Sequence, residues 1–364
     1  VSTDQNSYWS LQMRRTCHHT KARFRVPCNL SALSAIIVLT FNFVGLSYAD
    51  DEASSATNYV EVVAAINKTM RAYHYDPAEL DTPEYQQIEA AVTALAETAT
   101  SDEALISGFR EIWKKGPFSH VTLGVAQQSA DDLADYLDTM RIGGGGAQLA
   151  WRGDVAVLTV NTMMGLDTIE EIDAAYAEIA QRGASGLVID LRENGGGAFA
   201  VRPLVSHLLT RPFDAGGFVS QPWNAAHRRE LDGADLEAVD PWEGWSIKAF
   251  WADVQINAVT RIRFSPVEPH FDGPVYVLTS KRTASAAELA TDALTGSNRA
   301  IIVGENTAGE MLSQKIYDIP GGFHLSLPIA DYYSALNGRI EGVGIKPDIE
   351  TDAANALEVA LKQF

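Results

Sequence analysis

The stretch that most constrains this chain runs from Pro274 to Pro320 and reads PVYVLTSKRTASAAELATDALTGSNRAIIVGENTAGEMLSQKIYDIP. Val275–Thr279 is a short, wholly apolar-or-Thr run, the signature of a strand buried on both faces of a parallel sheet. Leu289, Ala290, Ala293 and Leu294 then recur at helical spacing, and Ala300–Val303 is a second buried strand. A parallel pair needs a crossover, so strand, helix and strand form one α/β unit. Ser285 falls where the first strand hands over to the helix. A Ser there stands beyond the sheet, beside unpaired N–H groups of the first helical turn. That is the layout of a nucleophile beside an oxyanion hole. The same residues also fit a plain helix start, because Ser285 to Glu288 has the Ser-x-x-Glu spacing of a capping box.

The N-terminal 49 residues read as an address. Arg14, Arg15, Lys21, Arg23 and Arg25 precede an apolar Leu33–Leu46 run, and Ser47-Tyr48-Ala49 ends it with a small-x-small pattern. This is the pattern of a secretory signal cleaved after Ala49, and the run is short for a span of about 20 residues. The expectation is export to a periplasmic or extracellular space without a stable membrane anchor. Both cysteines, Cys17 and Cys28, lie in this segment, so the remainder has neither disulfide nor thiolate chemistry. Removing residues 1–49 takes the counts from 28 basic and 47 acidic residues to 23 and 46, a net charge of −23. Such a balance disfavours nucleic acid and anionic membrane as partners.

From Asp50 to Gly116 three helices are expected. Ala53–Tyr73 has helical apolar spacing, Thr82-Pro83-Glu84 is a cap with Pro at N1, and Ser101-Asp102-Glu103 opens a third helix that stops at Gly116. They are read as a small N-terminal helical subdomain, with a core from 117 to 364. Ser119-His120 stands at the start of a β-like run of Val121, Leu123 and Val125, a place where functional residues gather; a lone His is also often structural. Gly143–Gly146 reads as a flexible turn. Gln148–Trp151 and Val155–Val160 read as a hairpin, Thr168–Arg182 as an amphipathic helix, and Gly186–Leu191 as a buried strand. That strand runs into Asp190-Leu191-Arg192-Glu193-Asn194-Gly195-Gly196-Gly197, where glycines let backbone N–H groups approach a ligand. No Lys-Ser/Thr follows, which speaks against a phosphate loop. Residues 210–273 look least regular. They hold Trp223, Trp242, Trp245 and Trp251 and read as a lid, a substrate wall or a surface elaboration. No His pair has metal-ligand spacing, and neither metal nor other cofactor is expected.

Taken together, four motifs in order resemble peptidase family S41, which includes the C-terminal processing or tail-specific proteases and the tricorn core. DLRENGGG, VYVLTSKRTASAAE, IIVGENTAG and EGVGIKPDIE carry the resemblance across roughly residues 115–352. It implies an α/β fold with a crotonase/ClpP-like ββα superhelix core and a protein or peptide substrate. The processing proteases carry a catalytic Lys where this chain has Glu310, and a PDZ domain for which this core has no room. The tricorn-like branch uses His, Ser and Glu, and Ser119-His120 and Glu341 match it. The resemblance therefore implies Ser285 as nucleophile and His120 as base. Glu341 is the orienting acid, acting directly or through Ser119, and Ala286 N–H with Gly195 or Gly196 N–H forms the oxyanion hole. Glu310 is the rival acid and Lys281 an alternative base. Two other readings stay open: a non-catalytic binding module for an apolar ligand or peptide, and an esterase on the same residues. The oligomeric state is not written in the sequence.

Overall fold

The computed structural model describes residues 57–364. The segment read as an export signal lies outside them. In chain order the elements are α1 (Tyr59–Tyr73), α2 (Pro83–Thr98), α3 (Asp102–Trp113), β1 (Thr122–Val125), α4 (Ala130–Thr139), β2 (Ala147–Arg152), β3 (Val155–Val160), α5 (Leu166–Arg182), β4 (Gly186–Asp190), α6 (Val201–Ser206), β5 (Phe213–Ser220), α7 (Gln221–Ala226), α8 (Gly233–Glu237), α9 (Ile247–Ile256), β6 (Val259–Phe264), β7 (Val275–Thr279), α10 (Ala286–Gly296), β8 (Ile301–Gly304), β9 (Ser313–Ile319), β10 (Phe323–Ser334), β11 (Gly338–Arg339), β12 (Ile349–Glu350) and α11 (Ala356–Leu361).

Two sheets organise them. The first has the order β12-β8-β7-β4-β3-β2, parallel throughout except for the β2–β3 hairpin at its edge. The middle strands β4 and β7 are buried end to end because α5, α6 and α10 cover one face and α11 the other. Val277 and Leu278 of β7 are fully buried, worth roughly 1.5–3 kcal/mol each. The second sheet is antiparallel, ordered β1-β10-β5-β6, with β9 and β11 also on β10. β10 is twelve residues long and runs on through Pro328. Its first half pairs with β1 and β9 and its second with β5 and β11.

Helices α1 to α3 start at the expected caps: Thr82 Oγ1 accepts from Tyr85 N, and Ser101 Oγ from Ala104 N. Their apolar faces do not make a separate core. Val62, Ile66, Leu105 and Phe109 share one cluster with Leu123, Phe323, Leu325 and Leu327, so the three helices roof the second sheet.

Residues 210–273 differ from the irregular stretch expected. They supply β5 and β6 and three short helices. Trp223 and Trp251 are buried, and Trp242 and Trp245 pack against the core. The strand signal of β5 is masked by Gly216 and Gly217, which are glycine for space. A Cβ at Gly216 would lie 2.1 Å from the Tyr333 carbonyl, and one at Gly217 2.7 Å from Leu236. Nor is the Gly143–Gly146 turn loose. Asp167 accepts from the N–H groups of Ile142, Gly143 and Gly144, and Glu171 from those of Gly145 and Ala147, all within 2.7–3.0 Å.

Candidate active site

β4 and β7 are parallel neighbours, so the loops leaving their carboxyl ends meet at one sheet edge. Side chains tie the two loops together. Thr283 Oγ1 donates to the Leu191 carbonyl at 2.9 Å, Ser280 Oγ to that of Arg192 at 2.5 Å, and Ala284 N to that of Asn194 at 3.1 Å. Ser285 follows at φ 54°, ψ −122°, a conformation that costs a non-glycine residue about 1–3 kcal/mol. Such strain persists only where the surroundings fix it, and here they do. A Cβ on Gly196 would lie 2.6 Å from Ser285 Cβ and 2.8 Å from the Ala284 carbonyl, so the glycine loop lies directly against the serine.

Glu288 provides the rest of the constraint. Fully buried, it accepts four hydrogen bonds: Thr307 Oγ1 at 2.6 Å, Gly309 N at 2.8 Å, Glu310 N at 2.9 Å and Ser285 N at 3.1 Å. Burial pushes its carboxyl above the usual range, and those four donors pull it back toward the ionised form. Its own N–H goes to the Ser285 carbonyl at 2.8 Å. The Ser-x-x-Glu spacing is thus neither an ordinary cap nor irrelevant to a nucleophile: the Glu fixes the backbone of the Ser. That role is what the sequence reading missed, although the spacing that signals it was visible.

A second set of residues assembles from distant parts of the chain. Phe118 packs against His74, Tyr85 and Trp113, which anchors the start of β1 in the helical layer. Next to it, Ser119 Oγ lies 2.6 Å from His120 Nδ1 and donates to Glu341 Oε1 at 2.8 Å. Glu341 is buried, and its other oxygen accepts from Met311 N at 2.6 Å and Leu312 N at 3.2 Å. Proton counting assigns the tautomer. Ser119 has one hydrogen and spends it on a carboxylate that can only accept, so the hydrogen on the Ser119–His120 contact is on Nδ1. Nε2 of His120 then carries the lone pair. Burial pushes the imidazole below its ordinary value, and the Glu341 charge works against that shift without reversing it. His120 also sits at positive φ, 63°.

The two sets meet through one short loop. Four successive N–H groups are shared out, Gly309 and Glu310 to Glu288, and Met311 and Leu312 to Glu341. Among the described residues no hydrogen bond joins His120 to Ser285 directly. Of the expected oxyanion donors, Gly196 N–H is already given to Asn194 Oδ1 at 2.8 Å. That Asn is held by its amide on the Val160 carbonyl at 3.0 Å. Ala286 and Gly195 N–H have no internal acceptor among the described residues, so the pair left open is Ala286 with Gly195. The rival acid Glu310 is exposed and makes no bond to His120. Burial of part of its side chain, together with Glu341, pushes its carboxyl up. Lys281 is exposed, and Lys315 donates to Gln255 at 2.6 Å.

The model of peptidase family S41 matches residues 154–351, more than half of the chain, and the chain belongs to that family. It is 28% identical over 207 residues to the chloroplastic C-terminal processing peptidase of Tetradesmus obliquus, a match covering 57% of this chain and 36% of that protein. The chain thus spans about a third of the length of that relative. A solved structure from Parabacteroides merdae superposes with a TM-score of 0.59 at 15% identity, covering 84% of this chain and 96% of the other. The tricorn protease superposes with a TM-score of 0.52 at 12% identity, covering 83% of this chain and 35% of its own. These likenesses establish the α/β fold of the family.

Proposed function

We propose that the chain is an exported serine endopeptidase that cleaves protein or peptide substrates through an acyl-enzyme on Ser285. Ser285 Oγ attacks the scissile carbonyl while His120 Nε2 takes its proton. The imidazolium formed keeps its Nδ1–H on Ser119 Oγ, and Glu341, at the end of that chain, offsets its charge. The oxyanion of the tetrahedral intermediate faces Ala286 and Gly195 N–H beside the N-terminus of α10. As the C–N bond breaks, His120 returns the proton to the leaving amine. Water then repeats the sequence on the ester, with His120 again as base, and releases Ser285.

The observation that carries this reading is the Ser119–Glu341 hydrogen bond, because it compels the His120 tautomer that a general base requires. Export rests on residues 1–49, and the purified exported protein should begin at or near Asp50. The test of function is hydrolysis of a panel of unstructured peptides and simple esters, followed by mass spectrometry. Wild type should cut peptides and Ser285→Ala should not, while remaining folded. Ester cleavage alone would favour the esterase, and no turnover of either would favour the binding module.

A further inference from the structure

We propose that Glu310 is a specificity-determining residue that selects a Lys or Arg side chain in one of the two substrate residues flanking the scissile bond. The inference rests on the peptidase reading above and deepens it. Glu310 N and Ser285 N donate to the same oxygen, Glu288 Oε2, at 2.9 and 3.1 Å, so residue 310 is held beside the nucleophile by a single atom. The loop around it has little freedom. Its four N–H groups from 309 to 312 end on two buried carboxylates, and Met311 and Leu312 are buried at 3% and 1% exposure. From 309 to 312 only residue 310 is exposed. Its carboxylate makes no ion pair and no hydrogen bond among the described residues, unlike Glu288 and Glu341 on either side. The arginines of the glycine loop and of the Ser285 loop are occupied elsewhere: Arg192 is paired with Asp190, and Arg282 with Glu193. A carboxylate without a counter-charge among the described residues, on a residue whose main chain is held next to the reacting serine, is complementary to a substrate cation and opposed to a substrate anion. The overall acidic charge also attracts cationic peptides, but that field does not depend on which substrate position carries the cation. A fixed contact does.

The experiment compares kcat/KM for peptides identical except at the residues flanking the cut, carrying Lys, Leu or Glu, and for a peptide with the Lys moved three residues away. Wild type should favour the flanking Lys over Leu by about ten- to a hundredfold, and moving the Lys away should remove the preference. Glu310→Gln should collapse the Lys-to-Leu ratio, and Glu310→Lys should turn it toward the Glu peptide. Should those variants fold poorly, the wild-type ratio alone decides, since it should shrink as salt rises. Cleavage of all peptides with a ratio near one, or a ratio unmoved in Glu310→Gln, overturns this inference and leaves the peptidase reading intact. Failure of the wild type to cut any peptide overturns both.

Discussion

Replacing Glu341 by Gln changes one atom and tests how the two halves of the site are wired. Oε2 of Glu341 accepts two main-chain N–H groups and Oε1 accepts the Ser119 hydroxyl. A Gln has one acceptor oxygen and one donor NH2, so it cannot serve both sides. If its oxygen stays on Met311 and Leu312, its NH2 donates to Ser119. Ser119 must then donate to His120 Nδ1, and the hydrogen moves to Nε2, where the lone pair is needed. If the amide flips to keep the working tautomer, the NH2 faces two buried N–H donors. Each donor left unsatisfied costs about 1–3 kcal/mol. The working arrangement therefore lies about 2–6 kcal/mol above the other, and kcat/KM should drop by about 30-fold to 10⁴-fold. Losing the charge that holds the imidazole up should also move any residual acid limb to lower pH. The assay is kcat/KM against pH on a peptide cleaved by the wild type, with a thermal melt to verify folding. A Glu341→Gln enzyme within about threefold of wild type, with an unmoved limb, would refute the wiring; a loss confined to Glu310→Gln on a peptide with no Lys or Arg beside the cut would mean that the acid is Glu310.

His120→Ala should lower kcat by orders of magnitude, while Lys281→Ala and Lys315→Ala retain most activity, as kinetics on the same peptide will show. Because the neutral imidazole is the active form and burial depresses its pKa, the kcat/KM profile should stay flat to below about pH 6.5 and fall only as pH drops through the lowered value. Glu288→Gln places an NH2 against at least one pair of its four donors. It should cost about 2–6 kcal/mol in urea unfolding and lower kcat more than it raises KM. His74 is fully buried, and desolvation lowers its pKa to about 4. Its contribution to stability is present above about pH 6.5, where both states are neutral, and is lost as pH falls toward 4 and the unfolded chain alone takes up the proton. The loss amounts to about 3 kcal/mol, and a His74→Asn variant should lack that part of the slope in urea melts between pH 7 and 4.

The strand-turn-helix frame was legible because parallel strands buried on both faces write continuous apolar runs. Val275–Thr279 and Gly186–Leu191 could be read straight from the sequence for that reason, the second one residue longer than β4. Ser285 and Ser119-His120 were likewise visible as residue types at element ends, whereas Glu341 was reached only through the family resemblance of EGVGIKPDIE. What periodicity does not carry is how main-chain donors are distributed. Nothing in the local pattern says that the acid of a helix cap also holds a loop 19 to 22 residues away, or that Gly196 gives its N–H to an Asn two residues before it. Gly216 and Gly217 concealed β5 because glycine signals turns in sequence, whereas here it makes room for Tyr333 and Leu236. The direction of the His120 shift was also out of reach. A carboxylate partner alone predicts a raised pKa, and only the packing shows that desolvation outweighs it.

The central claim is that Ser285 is a nucleophile activated by His120. It is tested most directly by treating the folded protein with a fluorophosphonate and locating the adduct by peptide mass mapping, in wild type and in His120→Ala. The account predicts a single stoichiometric adduct on Ser285 in wild type and a rate of modification slowed by orders of magnitude in His120→Ala. An adduct on another residue, no adduct at all, or equal rates in the two proteins would contradict it.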